Sequence, residues 1–180
     1  MTGPRLSVWH RLDAHDRALF VRWVLDEWTA PRATRFWRRV THLGGLRTSV
    51  AAVLLPLVAA SAAVRAAAVQ ALLALVLSHL VVQIVKRSVM RGRPVGRVVA
   101  HAHVAVPDCF SFPSGHACAS MSVAFAYGVA FPALAVPLVG LATIVGFSRV
   151  RLGVHYPGDV LVGQMIAMGT VAALRAVTGA

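Results

Sequence analysis

Residues 66–85 (AAAVQALLALVLSHLVVQIV) run for twenty positions without a charged side chain. At about 1.5 Å of rise per residue, such a run crosses a hydrocarbon core of about 30 Å as a single helix. Similar runs occupy 48–64, 117–131, 133–147 and 160–178. Lipid offers no partner to an exposed N–H or C=O group, so spanning segments must be helices or a closed barrel. Runs of this length and continuity read as helices. The expected fold is therefore all-α, an integral membrane helical bundle of about five transmembrane helices. Pro56 is tolerable within the first span. Ala117, Ala119, Ser120, Ser122, Ala124, Ala126 and Gly128 give the third a surface that neighbouring helices can approach closely. The composition agrees: 58% hydrophobic and 13% charged, with a mean hydropathy of +0.71, well outside soluble averages.

The N-terminal part reads differently. In 12–30, Leu19, Phe20, Trp23, Val24 and Trp28 form an apolar face, with Arg22 and Asp26 one turn apart on a polar stripe. In 32–43, Arg32, Arg35, Arg39 and His42 recur at helical spacing opposite Phe36, Trp37, Val40 and Leu43. Amphipathic helices rich in Arg and Trp lie in the headgroup plane; the alternative is a cytoplasmic helical hairpin packed on the rest of the protein. Gly44-Gly45 then breaks the pattern. The expected division is an interfacial segment over 1–43 and a transmembrane domain over 44–180. Arg65 marks the turn between the first two spans. Residues 86–116 read as a polar loop with a short helix in it. No signal peptide is expected, because the first 47 residues hold nine arginines and no early apolar core.

The net charge of +12 suits anionic headgroups or a phosphate substrate better than nucleic acid, because basic residues are missing from the apolar runs. Cys109 and Cys118 lack metal-knuckle or disulfide-framework spacing and read as small packed residues. Only Asp108 and Asp159 among the acidic residues lie beyond residue 27. A carboxylate cage for magnesium or calcium needs several converging oxygens, so no metal or other cofactor is expected.

Three polar patches interrupt the runs: Lys86–Pro94 (KRSVMRGRP), Pro113–His116 (PSGH) and Ser148–Asp159 (SRVRLGVHYPGD). Two spans separate residue 116 from residue 148, so all three patches fall on one membrane face. A phosphomonoester there needs cations and N–H donors. Lys86, the single lysine beside seventeen arginines, supplies charge, as do Arg93 and Arg149, whose guanidinium forks suit bidentate contacts. Ser114 and Gly115 offer a hydroxyl and N–H groups at a helix start, which favours anions. One histidine can attack phosphorus while the other protonates the leaving oxygen. His155 and Asp159 are four residues apart around a Tyr-Pro-Gly turn, which lets Asp159 orient His155 as nucleophile and leaves His116 as the acid. His79, His101 and His103 read as structural.

These patches resemble the three-part signature of the type 2 phosphatidic acid phosphatase family, within the acid phosphatase and vanadium haloperoxidase superfamily. That signature is Lys, six residues, Arg-Pro; Pro-Ser-Gly-His; and Ser-Arg, five residues, His, three residues, Asp. It is met at Lys86, Arg93-Pro94, Pro113–His116, Ser148-Arg149, His155 and Asp159, and the resemblance covers roughly 43–178. It implies a helical bundle, metal-independent dephosphorylation, His155 as nucleophile, His116 as acid, Asp159 as orienter, and Lys86, Arg93, Ser114, Gly115 and Arg149 as the phosphate cradle. The expected activity is hydrolysis of a phosphate monoester or pyrophosphate on a lipid, such as phosphatidic acid, phosphatidylglycerol phosphate or a polyprenyl (pyro)phosphate. A vanadate-dependent haloperoxidase and a non-catalytic protein binding anionic lipid are the alternatives.

Many bacterial membrane members of this family have six spans and an outward-facing site, and five are expected here. Of the basic residues, nine lie in the first 47 positions and seven in 86–116 and 148–159, against Arg65 and Arg175 on the opposite face. The positive-inside rule then puts the N-terminus and the site on the cytoplasmic side of the cell membrane.

Overall fold

The computed structural model describes residues 8–26, 28–59, 61–99, 101–106 and 108–179, with the side chains of 12–26, 28–58 and those that follow. Among these residues seven helices follow in order: α1 (Val8–Trp23), α2 (Pro31–His42), α3 (Leu46–Ala59), α4 (Ala62–Val89), α5 (Gly115–Ala130), α6 (Pro132–Arg151) and α7 (Pro157–Thr178). Among the described residues there are no strands, only isolated bridges between Gly92 and Phe110 and between Val95 and Val99.

Helices α4, α6 and α7 are each long and apolar enough to cross a membrane, and α2 and α3, bent by 44° at their junction, make a fourth candidate if they form one span. The expectation of about five is met in kind, an all-helical membrane bundle, but length alone selects fewer. Helix α5 has 16 residues, about 24 Å, and lies at the centre of the bundle. The expected turn at Arg65 falls earlier: α3 stops at Ala59 and α4 begins at Ala62, which puts Arg65 in the first turn of α4. The apolar content of the junction hid this boundary. The short helix expected within 86–116 does not form among the described residues, where the chain between Val89 and Gly115 is irregular.

The core forms three clusters, and α5 contributes to each. Ala126 packs with Val53, Ala71, Ala74, Leu75 and Val171. Cys118, Met121 and Ala124 meet Val82, Ala142 and Ala167. Ala117 lies with Phe20, Val150, Tyr156 and Val160. Small side chains on α5 allow this close approach, and interhelical hydrogen bonds accompany it: Ser78 Oγ to Ser122 Oγ at 2.8 Å, and Tyr127 Oη to Ala52 O at 3.0 Å. Large apolar side chains such as Leu80, Ile84, Leu141 and Leu161 are exposed, as a lipid-facing surface requires.

The chain order fixes the position of the site. The C-terminal end of α4, the N-terminus of α5, the C-terminal end of α6 and the N-terminus of α7 gather at one end of the bundle. Helices α1 and α2 pack at that same end: Phe20 meets Tyr156 edge-on at 5.3 Å, and Trp37 meets Phe147 at 5.6 Å. The cores of the amphipathic segments at 12–30 and 32–43 are thus helical.

Candidate active site

Local backbone chemistry presents the functional side chains. Helix α6 ends at Arg151, and Gly153, at φ +80°, supplies the left-handed residue the following turn needs. Pro157 then starts α7, and the Asp159 carboxylate caps that helix by accepting the Tyr156 N–H at 2.8 Å. His155 is held between the two helices, 2% exposed. At α5, Ser114 is the N-cap residue, and its hydroxyl accepts the Ala117 N–H at 3.5 Å. The Ser114 N–H donates to Asp159 O at 2.9 Å, which ties the PSGH turn to α7. The two backbones are so close that a Cβ on Gly163 would lie 2.6 Å from Ser114 O. The N–H groups of Gly115 and His116 belong to the first turn of α5, where a helix offers no internal acceptor.

Arg93 links His155 to the loop at Asp108. Its Nε donates to Asp108 O at 2.8 Å and its Nη2 to Asp108 Oδ1 at 2.8 Å. Its Nη1 donates to Val154 O at 2.9 Å and pairs with His155 Nε2 at 3.0 Å. A guanidinium has no lone pair to offer, so Nε2 must be the acceptor. That assigns the His155 proton to Nδ1 and leaves a lone pair on Nε2. Nδ1 lies 3.6 Å from Asp159 Oδ2 and has no hydrogen-bond acceptor among the described residues. The four-residue spacing thus brings His155 and Asp159 side by side, at a separation just beyond hydrogen-bond length. Burial, followed by the charges of Arg149 and Arg93, pushes the His155 imidazole down to about 4 against the pull of Asp159. It is therefore neutral at pH 7.

Lys86 and Arg149 complete the cationic set. Lys86 Nζ pairs with Asp108 Oδ2 at 3.0 Å. Burial works to raise the Asp108 carboxyl, but hydrogen bonds from Lys86 and Arg93 outweigh it and hold the group below the usual carboxylate range. Arg149, 3% exposed, donates from Nη1 to Thr41 Oγ1 at 2.7 Å, while its Nε is buried with no acceptor among the described residues. His116 and Arg149 open onto a cavity of about 630 Å³ whose wall also includes Arg38, Thr41, His42 and His103.

Sequence reading brings Lys86, Arg93, Ser114, Gly115, His116, Arg149, His155 and Asp159 to one end of the bundle. It missed Asp108, which gathers two of the cations, Thr41, which holds the third, and Arg91, which pairs with Asp159 Oδ1 at 2.7 Å. His103, read as structural, lies in the same cavity wall as His116, with its Nε2 3.3 Å from Leu25 O. The scarcity of carboxylates beyond residue 27 was the available signal for Asp108.

The solved transmembrane PAP2-type phosphatidylglycerolphosphate phosphatase of Bacillus subtilis has the same fold. The superposition gives a TM-score of 0.73 at 22% identity and covers 94% of this chain and 87% of that one. Decaprenylphosphoryl-5-phosphoribose phosphatase of Mycobacterium tuberculosis is 39% identical over 102 residues, 54% of this chain and 52% of that protein. Lipid A 1-phosphatase of Rhizobium johnstonii is 33% identical over 93 residues, 49% of this chain and 38% of that protein. The chain thus spans about half the length, or less, of these sequence relatives. The PAP2 superfamily model matches residues 67–179, a stretch that includes every motif residue of the three patches. With those residues gathered at one end of a bundle of this fold, the chain belongs to the PAP2 superfamily.

Proposed function

We propose that this protein is a membrane-embedded hydrolase of lipid phosphates, acting on a phosphate monoester or pyrophosphate through a phosphohistidine intermediate. The observation that carries this reading is the buried His155 with its Nε2 lone pair held against Arg93. On substrate binding, a phosphate oxygen replaces Nε2 as the acceptor of that Arg93 N–H. His155 Nε2 then attacks phosphorus, the bond to the lipid oxygen breaks, and His116 gives that oxygen a proton. Negative charge on the bound phosphate favours a protonated His116. In the second half, His116 takes a proton from water, the water oxygen attacks phosphorus, and the P–N bond breaks to release inorganic phosphate. Lys86, Arg93, Arg149 and the first-turn N–H groups of α5 hold the charge that builds on the oxygens. Asp13, Asp16 and Asp159 converge on Arg91, and Asp108 lies against Lys86 and Arg93. The carboxylates at the site are thus committed to cations, which favours a reaction without a metal ion.

A polyprenyl phosphate carrying a sugar phosphate is the substrate class we favour, by similarity to the mycobacterial relative. The cavity beside His116 has room for a headgroup larger than phosphate. We also infer that residues 1–43 form an interfacial segment on the catalytic bundle of 44–180, with Trp28 and Phe36 exposed at headgroup level. Packing of α1 and α2 at the site end, where the basic residues concentrate, supports a cytoplasmic site in the cell membrane.

The test is phosphate release from a panel of lipid phosphates by the protein purified in detergent. His155→Ala and His116→Ala should each abolish release while the protein stays folded, and EDTA should leave the wild-type rate unchanged. Strict magnesium dependence, or activity surviving in His155→Ala, would overturn the reading.

A further inference from the structure

Arg91 stands outside the motif positions, yet it makes the densest set of ionic contacts in the described structure. Its Nη1 donates to Asp159 Oδ1 and to Asp16 Oδ2, both at 2.7 Å, and its Nη2 to Asp13 Oδ1 at 2.8 Å. Its guanidinium lies 4.1 Å from the centre of the Tyr156 ring, within cation–π range. The Asp159 side chain is fully buried, whereas that of Arg91 keeps 20% of its surface exposed. A buried carboxylate needs a compensating cation, and here Arg91 is in direct contact with it.

The geometry makes this contact directional. Asp159 uses Oδ2 for the Tyr156 N–H and faces His155 Nδ1 with that same oxygen. Arg91 holds the other oxygen, so rotation of the carboxylate about its Cβ–Cγ bond is blocked from both sides. Asp13 and Asp16 lie on α1, and Asp16 Oδ1 also accepts the Gly158 N–H at 2.7 Å. Helix α1 is therefore tied both to Arg91 and to the start of α7.

We propose that Arg91 is a positioning residue for hydrolysis: it holds Asp159 in the orientation from which Asp159 sets His155, and α1 is the element that holds Arg91. The proposal rests on the reading of His155 as nucleophile. It makes the amphipathic N-terminal helix part of the catalytic apparatus, although no residue of α1 belongs to the motifs.

The charged and titratable groups around this network decide the pH behaviour. His155 is influenced by Asp159 of α7, Arg149 of α6, His116 of α5 and Arg93 of the intervening loop. Arg91 is faced by Asp13 and Asp16 of α1 and by Asp159, and Arg17 pairs with Asp13 at 2.7 Å. Removing the Arg91 charge leaves Asp159 uncompensated, which favours the imidazolium of His155. Removing the Asp16 charge does the opposite, because Arg91 then keeps more of its positive field.

The experiment compares Arg91→Met, Arg91→Lys, Asp16→Asn and His155→Ala in the full chain, using phosphatidic acid in detergent micelles as the probe. It records kcat, KM, the pH profile of kcat/KM and thermal unfolding. Arg91→Met should lower kcat about 100-fold, the scale of a misplacement of about 1 Å, with KM within about threefold. Its acid limb should move to higher pH and that of Asp16→Asn to lower pH, and Arg91→Lys should recover an intermediate kcat. An unchanged kcat in Arg91→Met overturns the proposal. So does a loss that follows the folded fraction while the limb stays in place. Should Arg91→Met fail to fold, Asp16→Asn decides, since Asp13 and Asp159 still hold Arg91, and an unmoved limb there overturns the proposal. Activity in His155→Ala would overturn the functional reading itself; its absence confines any failure of the Arg91 variants to this proposal.

Discussion

Asp108→Asn separates the cost of assembling the proposed phosphate cradle from its benefit. Without substrate, Lys86, Arg93 and Arg149 put three cations at the site, and Asp108 is the carboxylate lying against two of them, at 3.0 and 2.8 Å. Lys86 and Arg93 are 7% and 5% exposed, so they feel a low dielectric. The Asp108 side chain is 39% exposed, so water screens both pairs. Each is then worth roughly 0.2–1 kcal/mol, as at a surface, rather than the 3–5 kcal/mol lost on breaking a buried pair. The expected cost of Asp108→Asn to the unliganded protein is therefore about 0.4–2 kcal/mol. A bound phosphate competes with Asp108 for the same donors, and the variant no longer gives up two ion pairs to bind it. Recovering about 1 kcal/mol corresponds to roughly fivefold tighter binding. Because a ligand that binds only the folded state stabilises it, saturating phosphate or vanadate should narrow the gap in unfolding temperature between variant and wild type. Thermal unfolding in detergent with and without vanadate, together with the inhibition constant for inorganic phosphate, measures both effects. Weaker phosphate inhibition in the variant, or a gap that vanadate leaves unchanged, would refute the competition.

With the folded-state His155 value near 4, the acid limb of kcat/KM that reports the nucleophile should lie near pH 4, clear of the substrate's second phosphate ionisation at about 6. Asp159→Asn should move it lower still, because that carboxylate pulls the imidazole up; a nucleophile limb at about 6.5 would count against the assignment. The same lowered value destabilises the fold in acid. The contribution is intact above 6.5 and is lost as pH falls toward 4, about 3 kcal/mol in all, which equilibrium unfolding across that window would detect. Thr41→Val keeps side-chain volume but removes the acceptor of Arg149 Nη1. It should cost about 1.5–3 kcal/mol and raise KM severalfold, whereas an unchanged KM would mean that Arg149 is placed by its other contacts.

The residues legible in the sequence are those whose spacing is local. Lys86 and Arg93 share one stretch, Ser114 to His116 are contiguous, and His155 and Asp159 are four apart, so the chemistry of a phosphate site can be read along the chain. Counting apolar runs adds the long-range step, because two spans between 116 and 148 return the chain to the same end. The exact helix ends were less legible. The run at 48–64 contains a break that its apolar composition conceals, and α6 continues to Arg151, past the expected end of its span at 147.

What could not be read is the pairing of charges across the fold. Arg91 meets Asp13 from 78 residues away, and Arg149 meets Thr41 from 108 residues away. No local period encodes such contacts. One constraint on them was nevertheless available. In a chain with six acidic residues and a net charge of +12, a carboxylate that enters the bundle end is surrounded by an excess of cations. An unpaired charge costs several kcal/mol where it is fully buried, as at Asp159, and less where water reaches it, as at Asp13 and Asp108, so the buried ones must end on a guanidinium or an ammonium. Asp13, Asp16, Asp108 and Asp159 all do. The cations are too many for a position to reveal its role. The acids are few enough that each one in the bundle end marks a cation whose placement the site depends on, and it is through them that Arg91, absent from every motif position, becomes part of the reaction.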